Sequence, residues 1–134
     1  MLFTTTKENI LTKLNQVANI ANGKNGNAIL SHILIVVDNG DLILTGSDSE
    51  IELVSRIRLD QEWEQGSITV PSKKFLDIIK SFNNNSLIKF KLESDKATIS
   101  SGKSKLKLST LPSESYPEFK RNSIDKNFAI SSNI

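Results

Sequence analysis

Two apolar periods alternate along this chain, and they follow one another in the same order twice. Residues 3–6 are extended in character. They lead into Ile10, Leu11, Leu14, Val17, Ala18 and Ala21, whose helical spacing predicts an amphipathic helix over 6–20. Its start carries the capping-box pattern Thr5-x-x-Glu8. Apolar strands are expected next at 29–37 and 42–45, joined through Asn39-Gly40, a pair suited to the positive φ values of a tight hairpin. An alternating strand over 51–59 closes the first copy. The second copy opens with a strand at 67–70 and enters a helix over 72–82, with Ser72 as N-cap behind Pro71. Phe75, Leu76, Ile78, Ile79 and Phe82 form its apolar stripe. Strands at 87–92, 97–100 and 106–111 complete the copy, with turns at 93–96 and 101–103 between them.

A repeated unit of this size buries its apolar face against its own copy. The expected fold class is α+β: two helices packed on one face of a mostly antiparallel sheet built from two similar β-α-β-β-β units. Residues 22–27 (N-G-K-N-G-N) cannot continue a helix and form a loop holding Lys24. Residues 60–66 link the copies. The stretch 112–125 holds two of the three prolines and reads as an extended linker. Beyond it, 127–134 (N-F-A-I-S-S-N-I) begins the pattern again, an unfinished third copy.

Composition narrows the class without naming a function. The 134 residues, 37% hydrophobic and 24% charged, suffice for one domain with a core. There is no cysteine, no apolar run long enough for a bilayer and no signal-peptide pattern, so a reducing cytoplasmic setting away from membranes is expected. The net charge of +2 is small, but its distribution is uneven. Asp38, Asp41, Asp48, Glu50, Glu52, Asp60, Glu62 and Glu64 crowd residues 38–65, whereas nine lysines lie in 70–107. Such asymmetry can orient a polyanion.

The candidate sites follow from this distribution. The polar face of the second helix carries Lys73, Lys74, Asp77 and Lys80; the first helix presents Asn9, Thr12 and Gln16, with Lys13 on the flank. Such a face is either simply solvated or a sequence-independent phosphate surface; with no aromatic residue interleaved, it is not built for base stacking. Lys103, Lys105 and Lys107 alternate with Ser104, Leu106 and Leu108. That pattern suits an edge strand guarded by lysines, or equally one that receives a partner strand. Asp48, Glu50 and Glu52 recur at period two and raise a divalent cation as a candidate, against the plainer reading of an exposed strand face. His32 sits among apolar residues and reads as structural; Trp63, in an acidic turn, reads as a packing anchor. No catalytic constellation, metal-ligand spacing or cofactor motif is present in the sequence.

Four blocks lift the reading further: L-T-G-S-D-S-E-I-E (44–52), T-V-P-S-K-K-F (69–75), S-G-K-S-K-L-K-L-S-T-L-P (101–112) and Y-P-E-F (116–119). In register, they make the chain resemble the bacterial DNA polymerase III beta subunit, the replicative sliding clamp, in its N-terminal domain. The resemblance implies a DNA-clamp fold and a head-to-tail homodimeric ring of three similar domains per subunit, with 1–126 as the N-terminal domain and 127–134 as the first strand of the middle, second domain. Helices would line the hole around duplex DNA, and the chain would be a non-catalytic processivity subunit. It implies DNA contact by Lys24, Lys73 and Lys80; Lys13, on the flank of the first helix, joins them as a candidate from its place on the helical wheel. It also implies a subunit interface along the Ser104–Ser109 strand, where Leu106 and Leu108 pack and Lys74, Lys103 and Lys105 face acidic partners. The catalytic subunit of DNA polymerase III and the clamp loader would bind through domains other than this one. Residues 25–28, N-G-N-A, stand where the family commonly has prolines, and lysines stand at several of its arginine positions. Two other classes compete: a helix-on-sheet module that binds a ligand or protein but not DNA, and a small metal-dependent hydrolase using Asp48, Glu50 and Glu52.

Overall fold

The computed structural model describes residues 1–21, 28–48 and 50–116. The predicted loop with Lys24 and the predicted second-domain strand over 127–134 lie outside the described residues. In chain order the elements are β1 (Leu2–Thr6), α1 (Lys7–Ile20), β2 (His32–Asp38), β3 (Asp41–Ser47), β4 (Glu52–Arg58) and β5 (Trp63–Glu64). Then come β6 (Gly66–Pro71), α2 (Ser72–Ser81), β7 (Leu87–Glu93), β8 (Lys96–Ser101) and β9 (Ser104–Ser109). All the strand pairings are antiparallel. The α+β class and the two-helix layer match expectation. The strands, however, divide into two sheets, ordered β5-β1-β7-β8-β9 and β4-β3-β2-β6.

This division has a physical consequence. β1 opens the first copy yet pairs with β7 of the second; β6 opens the second copy yet pairs with β2 of the first. Each copy therefore lends its opening strand to the sheet of the other. Between these strands the chain turns into α1 and α2, which lie against each other, and α1 also covers β3 and β4. Ile10, Leu14, Val17, Phe75 and Ile79 are fully buried in one core with Ile33, Leu44, Ile88, Phe90 and Ile99. Phe90 stacks on Phe3 at 4.9 Å and meets the edge of Phe75 at 5.8 Å, joining β1, β7 and α2. Each such side chain contributes about 1.5–3 kcal/mol by leaving water.

The helix ends are tied across the copies. Lys7, only 7% exposed, sends its Nζ to the carbonyls of Phe82 at 2.6 Å and Lys80 at 3.1 Å. A buried ammonium there satisfies the last carbonyls of α2 and sits at the negative end of its dipole. At the opposite end the Ser72 hydroxyl donates to the Ala21 carbonyl at 2.7 Å. Ser72 is thus spent on α1 and does not cap its own helix, where Pro71 occupies the N-cap position. The α1 cap is Thr6, which accepts from the Asn9 amide at 3.3 Å, in place of the expected Thr5. Thr5 is buried in β1 opposite Ile88, and Glu8 instead accepts from the Asn85 amide at 2.7 Å.

Three local features complete the scaffold. Asn39 and Gly40 take φ values of 51° and 84°, the hairpin turn expected of that pair. Gly46 allows α1 to rest on β3: a Cβ there would lie 2.5 Å from the Val17 carbonyl oxygen and 2.8 Å from its Cγ1. His32 Nδ1 lies 3.1 Å from Thr69 Oγ1, in keeping with a structural role. Other expectations are corrected. Ala28–Ser31 is a 3-10 turn and not the start of a strand. Trp63 remains 38% exposed because its two-residue strand lies at the sheet margin beside β1. The predicted linker is docked through Tyr116: Thr69 and Leu111 exchange backbone bonds of 3.0 and 3.1 Å, and Tyr116 is buried. Among the described residues no helix is long and apolar enough to cross a membrane.

Two stability outcomes follow. Gly46→Ala should push α1 off β3 and cost about 1–3 kcal/mol, read as a lower urea midpoint; an unchanged midpoint would contradict the contact. Burial lowers the pKa of His32 from its usual 6.5, so the folded state binds its proton less readily than the unfolded chain. Stability is therefore complete above that value and declines as pH falls through it. In thermal melts His32→Gln should flatten this dependence between pH 7 and 5.

Candidate nucleic-acid and subunit interfaces

Because the apolar stripes of α1 and α2 face inward, their polar residues form one continuous outer layer. Lys73, Lys74 and Lys80 are exposed on α2, with Asp77 among them. Among the described residues none of these lysines takes part in an ion pair. The neighbouring face of α1 is mostly uncharged, with Asn9, Thr12, Asn15, Gln16 and Asn19 exposed. Lysines beside amides can meet phosphate oxygens without reading base edges. Lys13 behaves differently. Its Nζ donates to the Arg56 carbonyl at 2.5 Å, which turns it towards β4 and away from the α2 lysines. Lys24 lies outside the described residues.

An open cleft of about 510 Å³ lies where the end of α1 meets the start of α2, with Asn19, Ser31, Lys73 and Lys74 on its walls. The buried stripes themselves fill the core: Ile10, Leu14, Val17, Phe75 and Ile79 are inaccessible to solvent. The helix-on-sheet interior is thus packing and not a ligand chamber.

Among the described residues β9 is the last strand of its sheet. Leu106 is 40% exposed at the rim, whereas Leu108 is 6% exposed and sits opposite Ala97 on the core side. Leu108 thus gives its side chain to its own domain, and the surface open to a partner consists of the strand's backbone edge with Leu106. Lys105 points to the opposite face from Leu106, Lys103 lies in the β8–β9 turn, and Lys74 is exposed on α2.

The carboxylates at 48, 50 and 52 do not share a strand face. Asp48 Oδ1 accepts from the Glu50 and Ile51 amides at 2.9 and 2.8 Å, forming a turn before β4 begins at Glu52. Among the described residues no group of three His, Cys, Asp or Glu side chains is placed to hold a metal ion. Sequence reasoning passed over Asp41, which binds both Arg56 at 3.0 Å and Arg58 at 3.3 Å. Desolvation pushes its pKa upward, but hydrogen bonds and charge from the two guanidinium groups outweigh this and hold it below the usual carboxylate value. These arginines are therefore occupied at the β3–β4 hairpin. Sequence reasoning also passed over Lys89 and Lys91, whose period-two spacing in L-I-K-F-K-L places them together on the sheet face turned away from the helices.

Comparison with known proteins gives this geometry its context. Residues 1–120 match the family model described as DNA polymerase III beta subunit, N-terminal domain. The chain is 40% identical over 117 residues to a beta sliding clamp of Vibrio harveyi, covering 87% of this chain and 81% of that one. It is 39% identical over 130 residues to the beta sliding clamp of Pseudomonas aeruginosa, covering 97% of this chain but only 35% of that protein. The crystal structure of the DNA polymerase III subunit beta from Pseudomonas aeruginosa superposes with a TM-score of 0.82 at 41% identity, over 87% of this chain and 31% of that one. The chain thus spans about a third of these Pseudomonas proteins. By the match of its fold, its motifs and nearly its whole length, this chain belongs to the DNA polymerase III beta subunit family, in which it corresponds to the N-terminal domain.

Proposed function

We propose that this chain acts as the first domain of a DNA sliding clamp, a ring that encircles duplex DNA and holds the replicative polymerase to its template. The observation that carries the reading is the joint helix layer, where Lys73, Lys74 and Lys80 stand exposed beside an amide-rich surface with no aromatic residue for base stacking. Such a layer attracts a duplex through its phosphates and tolerates any sequence, so the protein can slide. Retention then comes from ring closure. Lys73 and Lys80 supply the main contacts with Lys24; Lys13, turned towards β4, contributes less. The domain performs no chemistry and needs no cofactor.

Within that reading, the open edge of β9 pairs with the third domain of a neighbouring subunit, head to tail. Its backbone groups extend the sheet, Leu106 packs at the rim, and Lys74, Lys103 and Lys105 meet acidic side chains. Leu108 supports the strand from beneath. Residues 127–134 begin the middle domain, and the catalytic subunit of DNA polymerase III and the clamp loader bind through domains other than this one, in the cytoplasm.

The test is the salt dependence of duplex binding by the 134-residue chain. Binding should be weak, independent of sequence and lost as salt rises towards physiological strength. Lys73→Gln with Lys80→Gln should reduce the slope of log K against log salt by about two, close to one per phosphate contact. Tight binding that persists at physiological salt, or that depends on base sequence, would contradict the proposal.

A further inference from the structure

The face of the five-stranded sheet turned away from the helices carries a second lysine array. In β7, Ile88 and Phe90 are buried in the core, so Lys89 and Lys91 project from the opposite side. In β9 the buried Leu108 likewise sets Lys105 and Lys107 on that outer side. The register aligns them in two rows across the sheet: Lys89–Ser100–Lys105 and Lys91–Thr98–Lys107. Lys96 extends the grid opposite Glu93 and Ser109. Standard sheet spacings put lysines of one strand roughly 7 Å apart and those two strands apart roughly 10 Å apart.

Lys89, Lys91, Lys96, Lys105 and Lys107 outnumber the carboxylates Glu62, Glu64 and Glu93 on this side, and of these three Glu62 is the one with a described ion pair. Glu62 reaches Lys89 at 3.4 Å, Glu93 accepts from the Thr98 hydroxyl at 3.0 Å, and Glu64 lies at the far margin opposite Leu2. Lys91 and Lys107 take part in no ion pair among the described residues. We infer that this outer face is a second contact surface for the phosphate backbone of duplex nucleic acid, separate from the helix layer of the proposed clamp function and reaching beyond it.

The chemistry of the face selects that occupant. Its lysines alternate with hydroxyls, and Leu87 at one corner is the exposed large apolar residue of these three strands on that side. A protein partner would need a central apolar or aromatic anchor, and a single strand would need rings for its bases to stack upon. A duplex needs neither. It carries one charge per roughly 1.7 Å of axis, so a flat grid of ammonium groups meets several phosphates at once. In a closed ring such a face would hold duplex lying alongside the ring while the helices face the duplex within it.

The experiment measures duplex binding by the 134-residue chain across a salt series, with an outer-face variant combining Lys89→Gln, Lys91→Gln, Lys96→Gln and Lys107→Gln. The expected result is a slope reduced by about two to three and affinity at low salt lowered about tenfold or more. The effect should add to that of the helix-face variant. An outer-face variant that binds duplex as the parent does would overturn the inference, as would one that loses binding only to polyglutamate, which would mark an acidic-protein surface. If circular dichroism shows the combined variant unfolded, Lys91→Gln and Lys107→Gln are read singly, each expected to lower the slope by about one. The clamp reading and this inference fail separately, because the first is tested by the α2 lysines and the second by the sheet.

Discussion

The exchange of opening strands between the two copies is the constraint on which the rest of this structure depends. β1 is hydrogen-bonded to β7 along its whole length, and β6 to β2, so neither copy possesses a complete sheet of its own. The same exchange sets the helices. Each follows directly from a lent strand and must turn back across the junction, which brings α1 and α2 side by side with the end of one beside the start of the other. Lys7 and Ser72 then close the two ends of the pair by bonding to the partner helix. A charged group as buried as Lys7 is tolerable only with its hydrogen bonds made, and the free carbonyls at the end of α2 provide them.

This arrangement gives the domain two chemically distinct faces and free strand edges. The apolar stripes of both helices are seated in a shared core, which fixes the backbone positions from which the α2 lysines project. The outer sheet face presents its lysines from alternate positions of β7 and β9, and β9 leaves its backbone open for sheet extension. The acidic half of the sequence is confined mainly to the β3–β4 hairpin and its surroundings, where Asp41 binds the nearby arginines and keeps them from the basic surfaces. The modest net charge therefore hides a strong local asymmetry.

Much of this was legible in the sequence, and what was not legible depends on long-range contact. Helical and alternating periods located both helices and the main strands, because burial on one face imposes a period whatever the partner is. Asn39-Gly40 identified its hairpin through local backbone chemistry alone. The caps were misplaced by one residue at each helix because Thr5 and Ser72 are claimed by tertiary contacts, with β7 and with α1. The division into two sheets was hidden for the same reason: period two shows that a strand is half-buried but not which strand it joins. At the candidate site, the exposure of Lys73, Lys74 and Lys80 follows from the wheel, whereas the turning of Lys13 to the Arg56 carbonyl requires β4 to be in place. Leu108 could not be told from Leu106 by sequence, because both lie on one face of β9 and only the distance to the rim separates them.

The interlocking of the two copies is tested most directly by native-state hydrogen exchange. The account predicts that amides of β1 and β6 exchange only through the same global opening as those of β7 and β2, with one common free energy and one common denaturant dependence. If one copy's helix and sheet instead opened at a distinctly lower free energy while the other stayed protected, the copies would be independent units, and the strand exchange would not be what holds the domain together.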